Sequence, residues 1–157
     1  MKTYTTMEHD EMSWISHFNR LQSIDETKAW FALKCEQIRL EIEKGRETKY
    51  KQIIEEAIDY VKKYYSDSEL SISTVCDYLH ISTGYFSNLF KKELKMTFGA
   101  YLKQVRMEKA MELLRTTELK SFQIAEMVGY SEPNYFSMSF KKFAGLSAKE
   151  YRSTIKE

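Results

Sequence analysis

The chain has 157 residues, enough for one good-sized domain with or without an extension, and 43% of them are hydrophobic against 30% charged, the balance of a globular protein rather than a disordered or membrane one. Its 24 basic and 23 acidic side chains leave a net charge of +1, so bulk charge offers no argument for a nucleic-acid partner. No run approaches ~18 uninterrupted apolar residues, so no membrane span is expected.

The first residues, MKTYTTMEHDEM, lack the apolar core of a signal peptide. Cys35 and Cys76 fit no metal or redox spacing, and are expected as reduced thiols in a cytoplasmic protein. With one proline and five glycines, the chain reads as mostly helix with short connections. Trp14, Ile15, Phe18 and Leu21 give a first short amphipathic helix. Phe31, Cys35, Ile38 and Ile42 then form a helical stripe that ends near Gly45, a C-terminal stop by its lack of a Cβ. Ile54, Ala57, Ile58, Val61 and Tyr65 make the next stripe. The charged KGRETK segment between them is the expected boundary, with residues 1–48 as a helical extension and residues 49–157 as the main domain. Splitting the charge there changes little, since residues 50–157 hold 16 basic and 14 acidic side chains.

The informative feature is an internal repeat. Residues 84–94 read GYFSNLFKKEL and residues 134–144 read NYFSMSFKKFA, matching at an offset of 50. Upstream, VCDYLHIS (75–82) aligns with IAEMVGYS (124–131) at an offset of 49, so the second copy has one extra residue where a turn belongs. A short helix, a turn and a second helix occur twice, over about residues 70–95 and 121–144. In the second copy Ser121 is read as a helix cap and Ile124, Ala125 and Val128 as core. Gly129 supplies the turn, Ser131 caps the next helix with Pro133 in its first turn, and Phe136, Phe140 and Phe143 form the buried stripe. In the first copy Cys76 replaces Ala125 and His80 replaces Gly129, with Ser82 as cap and Phe86, Leu89, Phe90 and Leu94 as core.

Removing the buried positions leaves an outward stripe on each second helix: Gly84, Ser87, Asn88 and Lys91, then Asn134, Ser137, Met138 and Lys141. Neither stripe contains an acidic residue. Asn reads adenine edges, Ser either partner, and Met packs on a thymine methyl, while lysines and helix N-termini hold phosphates. A solvated polar face would look the same on one helix; its duplication, with a cap and a lysine pair each time, favours double-stranded DNA. Residues 97–116 form a linker helix with Tyr101, Leu102, Val105, Ala110, Leu113 and Leu114 available for packing. Its length of roughly 30 Å is compatible with two major grooves recurring every ~34 Å on one DNA face. The fold class read from these patterns is all-α: two helix-turn-helix subdomains joined by a long linker helix, preceded by a helical N-terminal extension.

With FKKEL-x-MTF-x-x-YL and R-x-x-x-A-x-x-LL (Phe90 to Leu114) and IAEMVGYSEPNYFSMSFKKFAGLSAKEYR (Ile124 to Arg152), residues 50–157 resemble the DNA-binding domain of AraC-type transcription regulators. The resemblance implies base contacts from Gly84, Ser87, Asn88, Pro133, Asn134, Ser137 and Met138. Phosphate contacts fall on Ser82, Thr83, Lys91, Lys92, Ser131, Lys141 and Lys142. It also implies a closing helix over Lys149–Arg152 and a structural role for Arg106. Lys95 departs from a family glycine and Ala148 from a family proline, and Gly84 brings no side chain to its position. The segment SIDETKAWFALKCEQIRLEIEKGRETKYKQIIEEAIDYVKKYYSD is similar to the stretch before the DNA-binding domain of YesN-like two-component response regulators. That likeness implies a phosphoacceptor receiver domain upstream, absent from these residues, and a chain that is the C-terminal portion of a longer regulator. RNA polymerase is the further partner a transcription regulator implies.

Other readings stay open on the residues alone. His9, His17 and His80 show no ligand spacing, and there is no phosphate loop or nucleophile elbow, so no catalytic, metal or cofactor site is expected. A helical protein-interaction module could carry the same stripes, and the domain could be the output of a small-molecule-sensing regulator, although residues 1–48 are too short and helical for a β-rich pocket. The Phe31–Ile42 stripe suits packing on the domain or pairing two chains as a homodimer.

Overall fold

The computed structural model describes residues 14–156 apart from residue 22; His9 and the MKTYTTMEHDEM segment lie outside the described residues. The chain divides into two units, residues 1–48 and 49–157, and among the described residues there is no strand. α1 spans Ile24–Tyr64. The main unit then contains α2 (Ile72–Leu79), α3 (Thr83–Leu94), α4 (Phe98–Thr116), α5 (Ser121–Met127), α6 (Pro133–Ala144) and α7 (Ala148–Lys156).

In the first unit, residues 14–18 are helical, and their rings meet the start of α1. Trp14 and Phe18 contact Trp30 at 6.4 and 6.0 Å between centroids, and Phe18 meets Phe31 at 6.1 Å. Ser23 Oγ accepts the Glu26 N–H at 3.1 Å, and Asp25 and Glu26 occupy the first turn, where carboxylates suit the helix dipole. The stop expected at Gly45 is absent: α1 runs through it, with Gly45 outside the positive-φ glycines. A mid-helix glycine costs only ~1 kcal/mol relative to alanine, and the flanking Glu, Lys and Arg residues are good helix formers.

The main unit is built on two cores. The first gathers Ile54, Ala57 and Val61 of α1 with Val75, Phe86 and Phe90 and with Phe98, Leu102 and Val105 of α4. The second gathers Met107, Ala110 and Leu114 of the same α4 with Ile124, Ala125, Phe136 and Phe140. One helix therefore shares its two halves between two helix-turn-helix cores. A fully buried side chain of this kind contributes about 1.5–3 kcal/mol.

The backbone repeats as the sequence does. Ile81 N–H donates to Cys76 O at 3.1 Å and Tyr130 N–H to Ala125 O at 2.9 Å, the same closing bond at both turns. His80 (φ 54°) and Gly129 (φ 82°) both lie in the left-handed region. Only the second position is also crowded, because a Cβ on Gly129 would stand 2.6 Å from Tyr65 O and 2.9 Å from an Arg106 guanidinium nitrogen. At the helix ends Lys95 (φ 58°) and Gly145 (φ 78°) are equivalent left-handed caps, so Lys95 holds a glycine conformation with a side chain attached.

Three local expectations are corrected. Ser121 is the first residue of α5 rather than its cap; Lys120 is the N-cap, and its N–H is taken by Gln123 Oε1 at 2.9 Å. Ser131 does not cap α6. Glu132 does, without a side-chain hydrogen bond, because the extra residue in the second turn moves the cap position one residue on. Phe143 is 42% exposed, while Ser139 takes the buried position at 4%, since α6 reaches its last turn beyond the core. By contrast Ser82 caps α3 as expected, its side chain accepting the Tyr85 N–H.

Candidate nucleic-acid interface

Each candidate recognition face is what the packing of α3 and α6 leaves uncovered. Phe86, Leu89 and Phe90 bury one side of α3, and Phe136, Ser139 and Phe140 one side of α6. The opposite sides present Gly84, Ser87, Asn88 and Lys91, and Asn134, Ser137, Met138 and Lys141, all exposed. Met138 is 73% exposed, which removes it from either core. Pro133 occupies the first turn of α6, where a missing N–H costs no helical bond. The Ser137 hydroxyl donates to Pro133 O at 2.9 Å, leaving its oxygen lone pairs outward. A Cβ at Gly84 would meet nothing within 4 Å, so this position is open surface.

The lysine pairs divide by direction. Lys91 and Lys141 lie on the stripes, one turn beyond the small polar residues. Lys92 stands to the side, its ammonium 5.7 Å from the Tyr50 ring centre, and Tyr50 in turn meets Tyr85 at 6.4 Å. Lys142 occupies the equivalent flank of α6, beside Lys103 and Phe143. Ser82 and Thr83 open α3 on the exposed surface, as Ser131 precedes α6.

Three residues that sequence reasoning missed join the first stripe. Ser87, Asn88 and Lys91 share a groove of about 410 Å³ with Ser71, Thr97 and Gly99, over a floor that includes Leu70 and Phe98. Ser71 and Thr97 cap α2 and α4, accepting the Thr74 and Ala100 N–H groups, so two helix N-termini flank the recognition helix. The S-x-x-T spacing before α2 was the available signal. The repeat offsets place Lys120, Ser147 and Lys149 at the equivalent positions of the second half, and Ser147 caps α7 by accepting the Glu150 N–H while Glu150 takes the Ser147 N–H.

The supports of the two halves are arginines. Arg106 donates to Tyr65 O at 2.9 Å and Asp67 O at 2.7 Å, and its guanidinium lies 5.5 Å from the Tyr130 ring centre. Burial lowers its pKa from the usual arginine range, which leaves it cationic at neutral pH. Burial pushes the Tyr130 phenol up, opposed by Arg106 and by its hydrogen bond with Ser139. Arg152 repeats the device, donating to Leu114 O at 3.4 Å and Leu119 O at 2.6 Å. Each arginine thus ties down the turn that enters a helix-turn-helix. The family resemblance implied a structural role for Arg106 and none for Arg152; the partners of both, 33 to 41 residues away, leave no mark in local periodicity.

α4 has 19 residues, a length of about 28 Å, and carries both cores. Its length is compatible with recognition helices serving adjacent major grooves ~34 Å apart.

Comparison with known proteins gives the same architecture. A family model described as a helix-turn-helix domain matches residues 75–154. The arabinose operon regulatory protein of Escherichia coli is 30% identical over 104 residues, covering 66% of this chain and 36% of that protein. The raffinose operon transcriptional regulatory protein of Pediococcus pentosaceus is 34% identical over 99 residues, 63% of this chain and 35% of that protein. The chain therefore spans about a third of the length of these relatives. Among solved structures, the C-terminal domain of AraT, a response regulator from Geobacillus stearothermophilus, superposes with a TM-score of 0.64 at 44% identity, covering 65% of this chain and 84% of that one. The C-terminal domain of the two-component response regulator yesN from Fusobacterium nucleatum does so with a TM-score of 0.61 at 43% identity, covering 65% and 96%. The DNA-binding domain of AdpA, solved in complex with a target DNA, shares the fold at 19% identity and a TM-score of 0.61.

Proposed function

The chain belongs to the AraC-type helix-turn-helix family of DNA-binding transcription-regulator domains, and from that premise we propose that it reads a specific double-stranded DNA site by placing α3 and α6 in successive major grooves. Gly84, Ser87 and Asn88 of the first half, with Pro133, Asn134, Ser137 and Met138 of the second, face base edges. Lys91, Lys92, Lys141 and Lys142 hold phosphates, with Ser82, Thr83 and Ser131 at the helix entries. Lys120 and Lys149 extend the second half's phosphate contacts, being the counterparts of groove residues in the first. The observation that carries this reading is the duplicated, acid-free outward stripe on two helices buried by the same phenylalanine pairs.

The reading extends to the parent protein. Likeness to the AraT and yesN C-terminal domains at 44% and 43% identity supports the output domain of a cytoplasmic two-component response regulator, with an upstream receiver domain. RNA polymerase and a second copy of the chain are its further partners, and it acts by binding rather than catalysis.

Salt dependence tests the DNA reading. Six phosphate-bound lysines predict that log K falls with log salt with a slope of about −5. Affinity for DNA that stays flat between low and physiological salt would favour a helical protein-interaction module instead.

A further inference from the structure

We propose that Arg106 and Tyr130 bridge the two helix-turn-helix halves and fix the position of α6 relative to α3, so that Arg106 is a positioning residue for the spacing between half-sites. This inference rests on the reading that both helices enter DNA.

The bridge runs from the first half to the second through a continuous set of contacts. Arg106 leaves the middle of α4, between Val105 of the first core and Met107 of the second. Its Nε donates to Tyr65 O at 2.9 Å and its Nη2 to Asp67 O at 2.7 Å, both carbonyls lying in the connection between α1 and α2. The guanidinium stands 5.5 Å from the ring centre of Tyr130, in the turn that enters α6. Tyr130 then meets Tyr135 and Phe136 of α6 at 5.8 and 5.5 Å between ring centres, and it hydrogen-bonds Ser139 of the same helix. Tyr65 completes the joint, being packed against both cores.

The internal repeat marks the same place. His80 and Gly129 are equivalent turn residues, both left-handed, and the first carries a side chain. Gly129 has no room for one, because Tyr65 O and Arg106 Nη2 would stand 2.6 and 2.9 Å from its Cβ. The glycine is thus required where the first half presses against the second turn.

The apolar cores alone do not fix this arrangement. Crossing angles of helices packed through apolar side chains scatter by ~15–20° at interaxial distances of ~8–10 Å, and a swing of that size about α4 moves a recognition helix by about 3 Å. That is nearly the ~3.4 Å rise of one base pair. α4 therefore sets the distance between the halves without choosing among neighbouring registers. Two charge-assisted hydrogen bonds from one planar guanidinium are directional, and its contact with an aromatic ring restricts it further.

The test measures affinity for the selected bipartite duplex, for versions with one base pair added or removed between the half-sites, and for versions with either half-site scrambled. The wild type is expected to lose about 100-fold on a one-base-pair change, because the two helices no longer engage together. Arg106→Met should lose about 10-fold or less on the same change, since a looser linkage accepts several spacings. Arg152→Met, whose tie lies within the second half, should keep the wild-type spacing preference even where its overall affinity falls. Tyr130→Phe, which removes only the bond to Ser139, serves if Arg106→Met does not fold, and should relax the preference about 3-fold. A variant of the bridge that loses affinity equally at every spacing, or an Arg152→Met that relaxes the preference as much, overturns the proposal and leaves the two-groove reading intact. So does a wild type that needs both half-sites yet is indifferent to their spacing. A wild type that binds equally well with either half-site scrambled overturns the two-groove reading itself, and the bridge with it.

Discussion

Lys95 and Gly145 hold the same left-handed cap in the two halves, at φ 58° and 78°, with different side-chain consequences. A Cβ in this region costs on the order of 1 kcal/mol, only partly offset by the Lys95 ammonium donating to Lys92 O at 2.8 Å. Lys95→Gly is therefore expected to stabilise the domain by about 0.5–1 kcal/mol, read as a higher midpoint of urea unfolding with an unchanged m-value. A lower midpoint would mean that the lysine contact outweighs backbone strain. The stripes make a second residue-scale prediction. Asn134→Ala should lower affinity for the cognate site by about 1–3 kcal/mol and relax preference at one base pair. Lys141→Ala should weaken all sequences alike and reduce the salt slope by about 1. Parallel losses on cognate and scrambled duplexes for both variants would remove Asn134 from base reading.

At the scale of elements, each half depends on phenylalanines one helical turn apart. Phe86 and Phe90 stand at 5.2 Å between ring centres, and Phe136 and Phe140 at 5.7 Å, all of them fully buried. Phe140→Ala should cost about 3–5 kcal/mol and leave the first core, whose buried residues are all different, better protected in amide exchange than the second. Uniform loss of protection across α2 to α7 would show that the halves unfold as one. The helices, their order and these core positions were legible in the sequence because apolar spacing and the repeat report local periodicity. The cap positions of the second half were not, since a one-residue insertion decides whether Ser131 or Glu132 enters α6. Gly45 misled for a related reason: a glycine marks a helix end only where the backbone turns left-handed, and nothing local to residues 44–49 requires that turn.

For the whole molecule, what the sequence could not convey is long-range. The carbonyls that Arg106 and Arg152 bind lie at least 33 residues away, and the groove that joins Ser71, Thr97 and Gly99 to the first stripe assembles three helices. The exposed stripes of α3 and α6 were legible because subtracting a buried face from a helix needs only its period. What flanks the first stripe depends on which other helix ends are brought alongside. α4 links these scales, since its first half closes one core and its second half the other, making the separation of the recognition faces a property of one helix.

That separation is tested most directly by selecting random duplexes on the purified protein and sequencing the enriched pool. Two helices in successive major grooves predict a bipartite motif whose halves are centred about 10.5 base pairs apart, with the half read by α6 more constrained than the half read by α3, where Gly84 offers no side chain. A pool without enrichment, or one carrying a single contiguous half-site, would contradict the two-groove account.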